Sequence, residues 1–154
     1  MSEYLSPQSD HLDLRGLKLA VQSLQDSISV VGDADWFDAQ TEKIQNTLLA
    51  GVIQNFEFVY EISIKMIRRR LELDAASPVE VDEASFRDLL RSAAEKGLII
   101  NVEAWFNYRK MRNITAHTYD HEKAEQVYAH TLDFVNDAML LLKKLEERNA
   151  RADT

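Results

Sequence analysis

Arg112 and His117 carry the side chains in this sequence best suited to handling a phosphate and moving a proton. They lie in one crowded stretch running from Arg109 through Lys110, Arg112, Asn113, Thr115 and His117 to Tyr119. A guanidinium is always charged, and its planar fork matches a phosphate. An imidazole titrates near neutral pH and can take or give a proton. Together they suffice to cut RNA without a metal. The imidazole removes the proton of a ribose 2′-OH, that oxygen attacks the neighbouring phosphorus, and the guanidinium steadies the developing charge. DNA lacks that hydroxyl. One histidine cannot easily be base and acid at once, and a second copy supplied by a dimer mate resolves this. The same residues also allow a plainer reading, a helix cap with a surface histidine, in which Asn113 is a helix-end hydrogen-bonder.

Spacing sets what the backbone must do. Arg112 and His117 are five residues apart, so an unbroken helix would point them roughly 140° apart. Residues 115–120 hold two Thr, a His and an Asp, all poor helix formers. The helix is therefore expected to unwind near His117, swinging the imidazole back towards Arg112 and leaving Tyr119 on the same connection, at least partly exposed. The preceding aromatics Trp105, Phe106 and Tyr108 fit a core or an interface better than a base-stacking platform.

Other constellations are weaker. His117 and His121 have a spacing that could hold a metal on one helix, but the expected break falls beside them and no third ligand is placed. No metal site is expected. Glu57 and Glu61 share a helix face without a Glu-x-x-His partner motif, so they read as solvated, interface or ion-pairing residues, with Lys65 four positions beyond Glu61. Arg68, Arg69 and Arg70 either compensate a helix dipole on a solvated face or attract phosphate. The absence of Cys excludes disulfides, thiolate zinc sites and a Cys nucleophile. There is no Gly-rich phosphate loop and no Gly-x-Ser-x-Gly elbow.

The elements that must position these groups are helical. Only four Gly and two Pro punctuate 154 residues, which favours long helices in one domain. Residues 1–10 read as a loose start, 11–148 as a single bundle and 149–154 as a frayed tail. A first helix is expected from His11 to about Val30, broken at Gly32-Asp33-Ala34. A second, capped by Asp35, should run from Trp36 to about Leu73. It carries one stripe through Ile44, Leu48, Val52, Phe56, Val59, Ile62 and Met66, and another through Ile53, Tyr60, Ile64, Ile67 and Leu71. Two stripes place it at the centre, with Gly51 marking a kink or a close crossing. Ser77-Pro78-Val79-Glu80 opens a helix expected to end at Lys96, with Gly97 beyond it. Asn101 caps the helix bearing Arg112, and a last helix spans about His121 to Arg148. The result is an all-α, up-and-down bundle of four or five helices. A net charge of −8 argues against a broad nucleic-acid-binding surface but not against a small basic pocket. No apolar signal core or membrane-length run is present, so a soluble cytoplasmic protein is expected.

Arg112-Asn113-Ile114-Thr115-Ala116-His117-Thr118-Tyr119 resembles the Arg-x4-His-x-Tyr signature of HEPN-domain proteins. The chain is similar in particular to the bundle subunits that accompany minimal nucleotidyltransferases, known as nucleotidyltransferase substrate-binding proteins. Gly51 through Glu61 with Lys65, Ser77-Pro78 and Gly97-Leu98-Ile99 carry the same likeness, over roughly residues 12–147. The resemblance implies a HEPN-like ribonuclease toxin of a type VII-like toxin–antitoxin pair. It implies a homodimer whose Arg112 and His117, with Asn113 beside them, line a shared cleft. RNA would rely on local cations, Arg109, Lys110 and Arg68, Arg69 and Arg70. The cognate nucleotidyltransferase would act as antitoxin, moving AMP from ATP onto Tyr119, so that the toxin itself needs no cofactor. A phosphate-bearing adduct there would fill and charge the cleft that RNA must enter. The alternative it carries is a non-catalytic substrate-binding subunit of that nucleotidyltransferase.

Overall fold

A computed structural model describes residues 11–117 and 120–152, apart from the side chains of His117 and Ala152. The first helix, α1 (Arg15–Gly32), buries Leu17, Val21, Leu24 and Val31 along the expected stripe. The chain then breaks twice where one break was expected. Asp33, not Asp35, opens a short helix α2 (Ala34–Asp38) by accepting from the Trp36 backbone N–H. The long helix α3 (Glu42–Asp74) starts anew behind Thr41, whose Oγ1 accepts from Ile44 N at 3.3 Å. The amides of Gln40 and Gln45 bond the carbonyls of Trp36 and Phe37. Both ends of the break are thus satisfied locally by side chains.

Helix α3 is the central element. It packs against α1 and every later helix of the bundle. Val52, Ile53, Phe56, Val59, Tyr60, Met66, Ile67 and Leu71 are buried, so both stripes face packed neighbours, although Ile44 at the end of the first is exposed. Gly51 marks no close crossing among the described residues. A Cβ built there meets nothing within 4 Å, and the helix continues through it.

The segment after Pro78 also divides, into α4 (Pro78–Glu83) and α5 (Phe86–Glu95). Ser77 makes no side-chain cap, whereas Ser85 Oγ accepts from Asp88 N at 3.1 Å and starts α5. At the far end Gly97 adopts φ +79°, a conformation that favours glycine. Leu98 N bonds Ala93 O at 2.9 Å and Gly97 N bonds Ala94 O at 3.1 Å, the double closure that ends a helix. Asn101 then caps α6 (Val102–Ile114) through Ala104 N. A 3-10 turn (Thr115–His117) ends it, and α7 (His121–Ala152) completes the fold. The tail does not fray from residue 149. Asn149 is buried, accepting from Leu12 N at 3.0 Å and donating to Leu12 O at 2.9 Å, so α7 runs on to Ala152.

Cross-helix bonds give the directions. Leu12 and Arg70 both reach Asn149, while Asn55 bonds Ser23 and Ser27, and His121 meets Asn46. Helices α3 and α7 therefore run one way, and α1 and α6 the other, in an up-and-down bundle buttressed by α5. Phe56, Trp105, Tyr108 and Phe134 meet edge to face at the centre, with centroids 4.9–5.9 Å apart. Trp105, Phe106 and Tyr108 are thus core residues. Among the described residues no helix is long and apolar enough to cross a membrane.

Candidate functional site

The end of α6 sets the geometry. Trp105, Tyr108 and Met111 bury one side of the helix, which turns Arg112 towards α3. There its guanidinium meets two carboxylates one helical turn apart. Nε and Nη2 both donate to Glu61 Oε1, at 3.1 and 2.9 Å. Nη1 lies 3.3 Å from Glu57 Oε2 and donates to Thr115 Oγ1 at 3.1 Å. The Thr115 hydroxyl in turn donates to Arg112 O at 2.6 Å. One residue thereby closes the helix end and orients the guanidinium.

Three groups of charge +1, −1 and −1 make this cluster net negative by one. Sequence reasoning noticed Glu57 and Glu61 but offered Lys65 as the partner of Glu61; the partner is Arg112, 51 residues away. The pairing crosses two helices, so local spacing could not reveal it. The one available signal was that two glutamates four apart share a helix face. Thr115, read only as a poor helix former, was missed as a ligand of the guanidinium. Tyr60 was missed as a neighbour. Burial pushes its phenol up to about 12, opposed by the positive charges of Arg109 and Arg112.

The backbone expectation is met: α6 gives way to the 3-10 turn that carries His117. The His117 side chain and Tyr119 lie outside the described residues. Asn113 is exposed on the last turn of α6. His121, at the start of α7, has Nδ1 3.0 Å from Asn46 Oδ1 and Nε2 2.9 Å from Glu125 Oε1.

The other candidate cations separate. Lys110 and Arg69 are exposed. Arg68 donates to Val81 O at 3.4 Å. Arg109 is exposed and stacks over the Phe86 ring at 4.1 Å. Arg70 departs from the expected surface role. It is 3% exposed and spans α3 to α7, donating to Asp74 at 3.2 Å and Asn149 at 3.4 Å. Three consecutive helical residues sweep about 200°, so a run of three arginines cannot all face water on a helix packed on two sides.

Comparison with known proteins places this arrangement. A Haemophilus influenzae protein named probable ribonuclease HepT is 46% identical over 141 residues, covering 92% of this chain and 97% of its own. A solved Haemophilus influenzae structure, presented as the fold of a substrate binding domain of a nucleotidyltransferase, superposes with a TM-score of 0.85 at 46% identity. It covers 87% of this chain, which covers 99% of it. The family described as nucleotidyltransferase substrate binding protein like matches residues 12–147. With a match of that length and a relative of that identity, the chain belongs to the nucleotidyltransferase substrate-binding protein family.

Proposed function

We propose that this protein is a metal-independent endoribonuclease of HEPN type, the toxin of a toxin–antitoxin pair acting on RNA in the cytoplasm. Arg112 steadies charge on the phosphorus, and His117 moves the proton of the 2′-OH, with Asn113 beside them. Two copies of the chain complete one cleft, so that base and acid come from different histidines. A cognate nucleotidyltransferase uses ATP to place AMP on Tyr119 and so blocks the cleft. The observation that carries the reading is Arg112, oriented by Thr115 at the point where α6 tightens into the turn bearing His117. The name of the 46% identical relative supports the reaction class.

A second reading has its own support. The family description and the solved relative speak of substrate binding, and the Arg112 guanidinium is already held by two carboxylates. In that reading the chain only presents substrate to a nucleotidyltransferase. One experiment separates the two. Wild type and His117→Ala, purified without the partner, are given single-stranded RNA in chelator. Cleavage by wild type alone is expected; equal inertness of both ends the nuclease reading. Mass analysis after incubation with partner and ATP should show AMP-sized increments that Tyr119→Phe abolishes. Increments retained in that variant would move the modification elsewhere.

A further inference from the structure

Among the described residues Arg15, Arg70, Arg91, Arg112 and Arg148 pair with carboxylates. Arg87 and Arg109 do not, among the described residues, in a chain with 26 acidic side chains. Each instead has its guanidinium carbon over an aromatic ring of the other's helix. Arg109 of α6 sits over Phe86 of α5 at 4.1 Å, and Arg87 of α5 sits over Phe106 of α6 at 4.6 Å. Both arginines are exposed. A guanidinium held on a ring keeps its in-plane N–H rim for an oxyanion and loses little freedom on binding one. Arg109 precedes Arg112 by three residues, about 4.5 Å along the helix axis. The guanidinium takes one face of each ring, so that face is closed to a base.

We propose that Arg87 and Arg109 form a backbone-gripping track, a subsite for the ribose-phosphate chain of single-stranded RNA leading along the α5–α6 seam to Arg112. The proposal deepens the ribonuclease reading and rests on it. Because the contact is to phosphate and not to base edges, the track is tolerant of sequence. It also gives an acidic protein a local place to hold RNA: two exposed arginines without a carboxylate partner stand on one seam leading to Arg112.

The test uses the whole chain with two probes of one mixed sequence. A single-stranded oligoribonucleotide reports cleavage, and the matching oligodeoxyribonucleotide, which lacks the attacking hydroxyl, reports binding. Arg87→Ala should raise KM about five-fold with kcat within about two-fold, and lower the slope of log affinity against log salt by about 0.7. Arg87→Lys should keep the slope, since it keeps the charge. A thermal midpoint held near wild type ensures that folding is not what moves. An active Arg87→Ala protein with KM and salt slope unchanged overturns the track. Wild type that binds neither probe overturns it too, as does an Arg87→Ala protein impaired only in joining its nucleotidyltransferase. If wild type binds the deoxy probe with the Arg87-dependent slope yet cleaves nothing, the track stands and the nuclease reading falls.

Discussion

Arg112 donates three hydrogen bonds, two of them to one oxygen of Glu61, and lies 3.3 Å from a Glu57 oxygen. Arg has five such donors. An approaching phosphate must compete with both carboxylates or engage what they leave. The glutamates therefore do two opposing things in the proposed reaction: they aim the guanidinium and they repel the substrate. Replacing both by Gln should lower KM several-fold while lowering kcat about ten-fold, as the guanidinium becomes more attractive but less fixed. Steady-state cleavage kinetics read the split. Unchanged values of both would reduce the pair to surface decoration. Stability should move by no more than about 1 kcal/mol, because partly exposed ion pairs contribute little. At this scale the sequence exposed the identity of Arg112 and the tendency of residues 115–117 to leave the helix. It hid the Glu57, Glu61 and Thr115 partners and the burial of Arg70. All of these depend on which residues a fold brings together from different helices, or on helical phase within a run of identical charges.

Helices were legible where a single residue type dictates the backbone, and illegible where a cap competes with an apolar stripe. Gly97 and Asn101 end α5 and begin α6 as expected, since a left-handed residue and a side-chain acceptor have few other uses there. Thr41 and Ser85 fall inside the helix spans expected from 36 to 73 and from 77 to 96, yet their hydroxyls restart the chain as new helices. Gly51 is the converse case. A close crossing is one reason for a glycine there, and none lies among the described residues: the position is helical and a methyl group there meets nothing within 4 Å. Gly51→Ala should then raise the unfolding free energy by roughly 1 kcal/mol through backbone entropy alone. Urea titration at low protein concentration measures it. A loss instead of a gain, growing with protein concentration, would mean that a second molecule covers this face in solution.

At the scale of the molecule, the proposed chemistry needs two proton-transfer groups at one phosphate, and the proposal draws them from two copies of the chain. If the cleft is shared, specific activity should fall as the protein is diluted through its dimer dissociation, in step with the dimer fraction measured by sedimentation. Activity independent of dilution, down to a fully monomeric sample, would remove the second copy from the mechanism. The bundle also carries its own titratable reporters. Tyr60 on α3, Tyr108 on α6 and Tyr128 on α7 all have phenols pushed above their ordinary value of 10.0. Burial is the leading cause in each, and the bond from Tyr108 to Asp137 adds to it, because ionising that phenol would set two anions side by side. Unfolding returns each to water, where it ionises more easily. Below pH 10 both states hold their protons and the contribution is fully present. Above pH 10 the unfolded chain releases protons first, so stability falls steadily until the folded phenols ionise, for Tyr60 at about 12. Urea midpoints should thus be flat from pH 8 to about 10 and then decline. Lysines titrate in the same range, so the decisive quantity is the difference between proteins. Tyr60→Phe, which removes a phenol without removing its ring from the core, should decline less steeply than wild type over pH 10–12. Parallel curves for the two would mean that the Tyr60 hydroxyl is as free to ionise in the bundle as in water, and that the core between α3 and α6 is wetter than its packing implies.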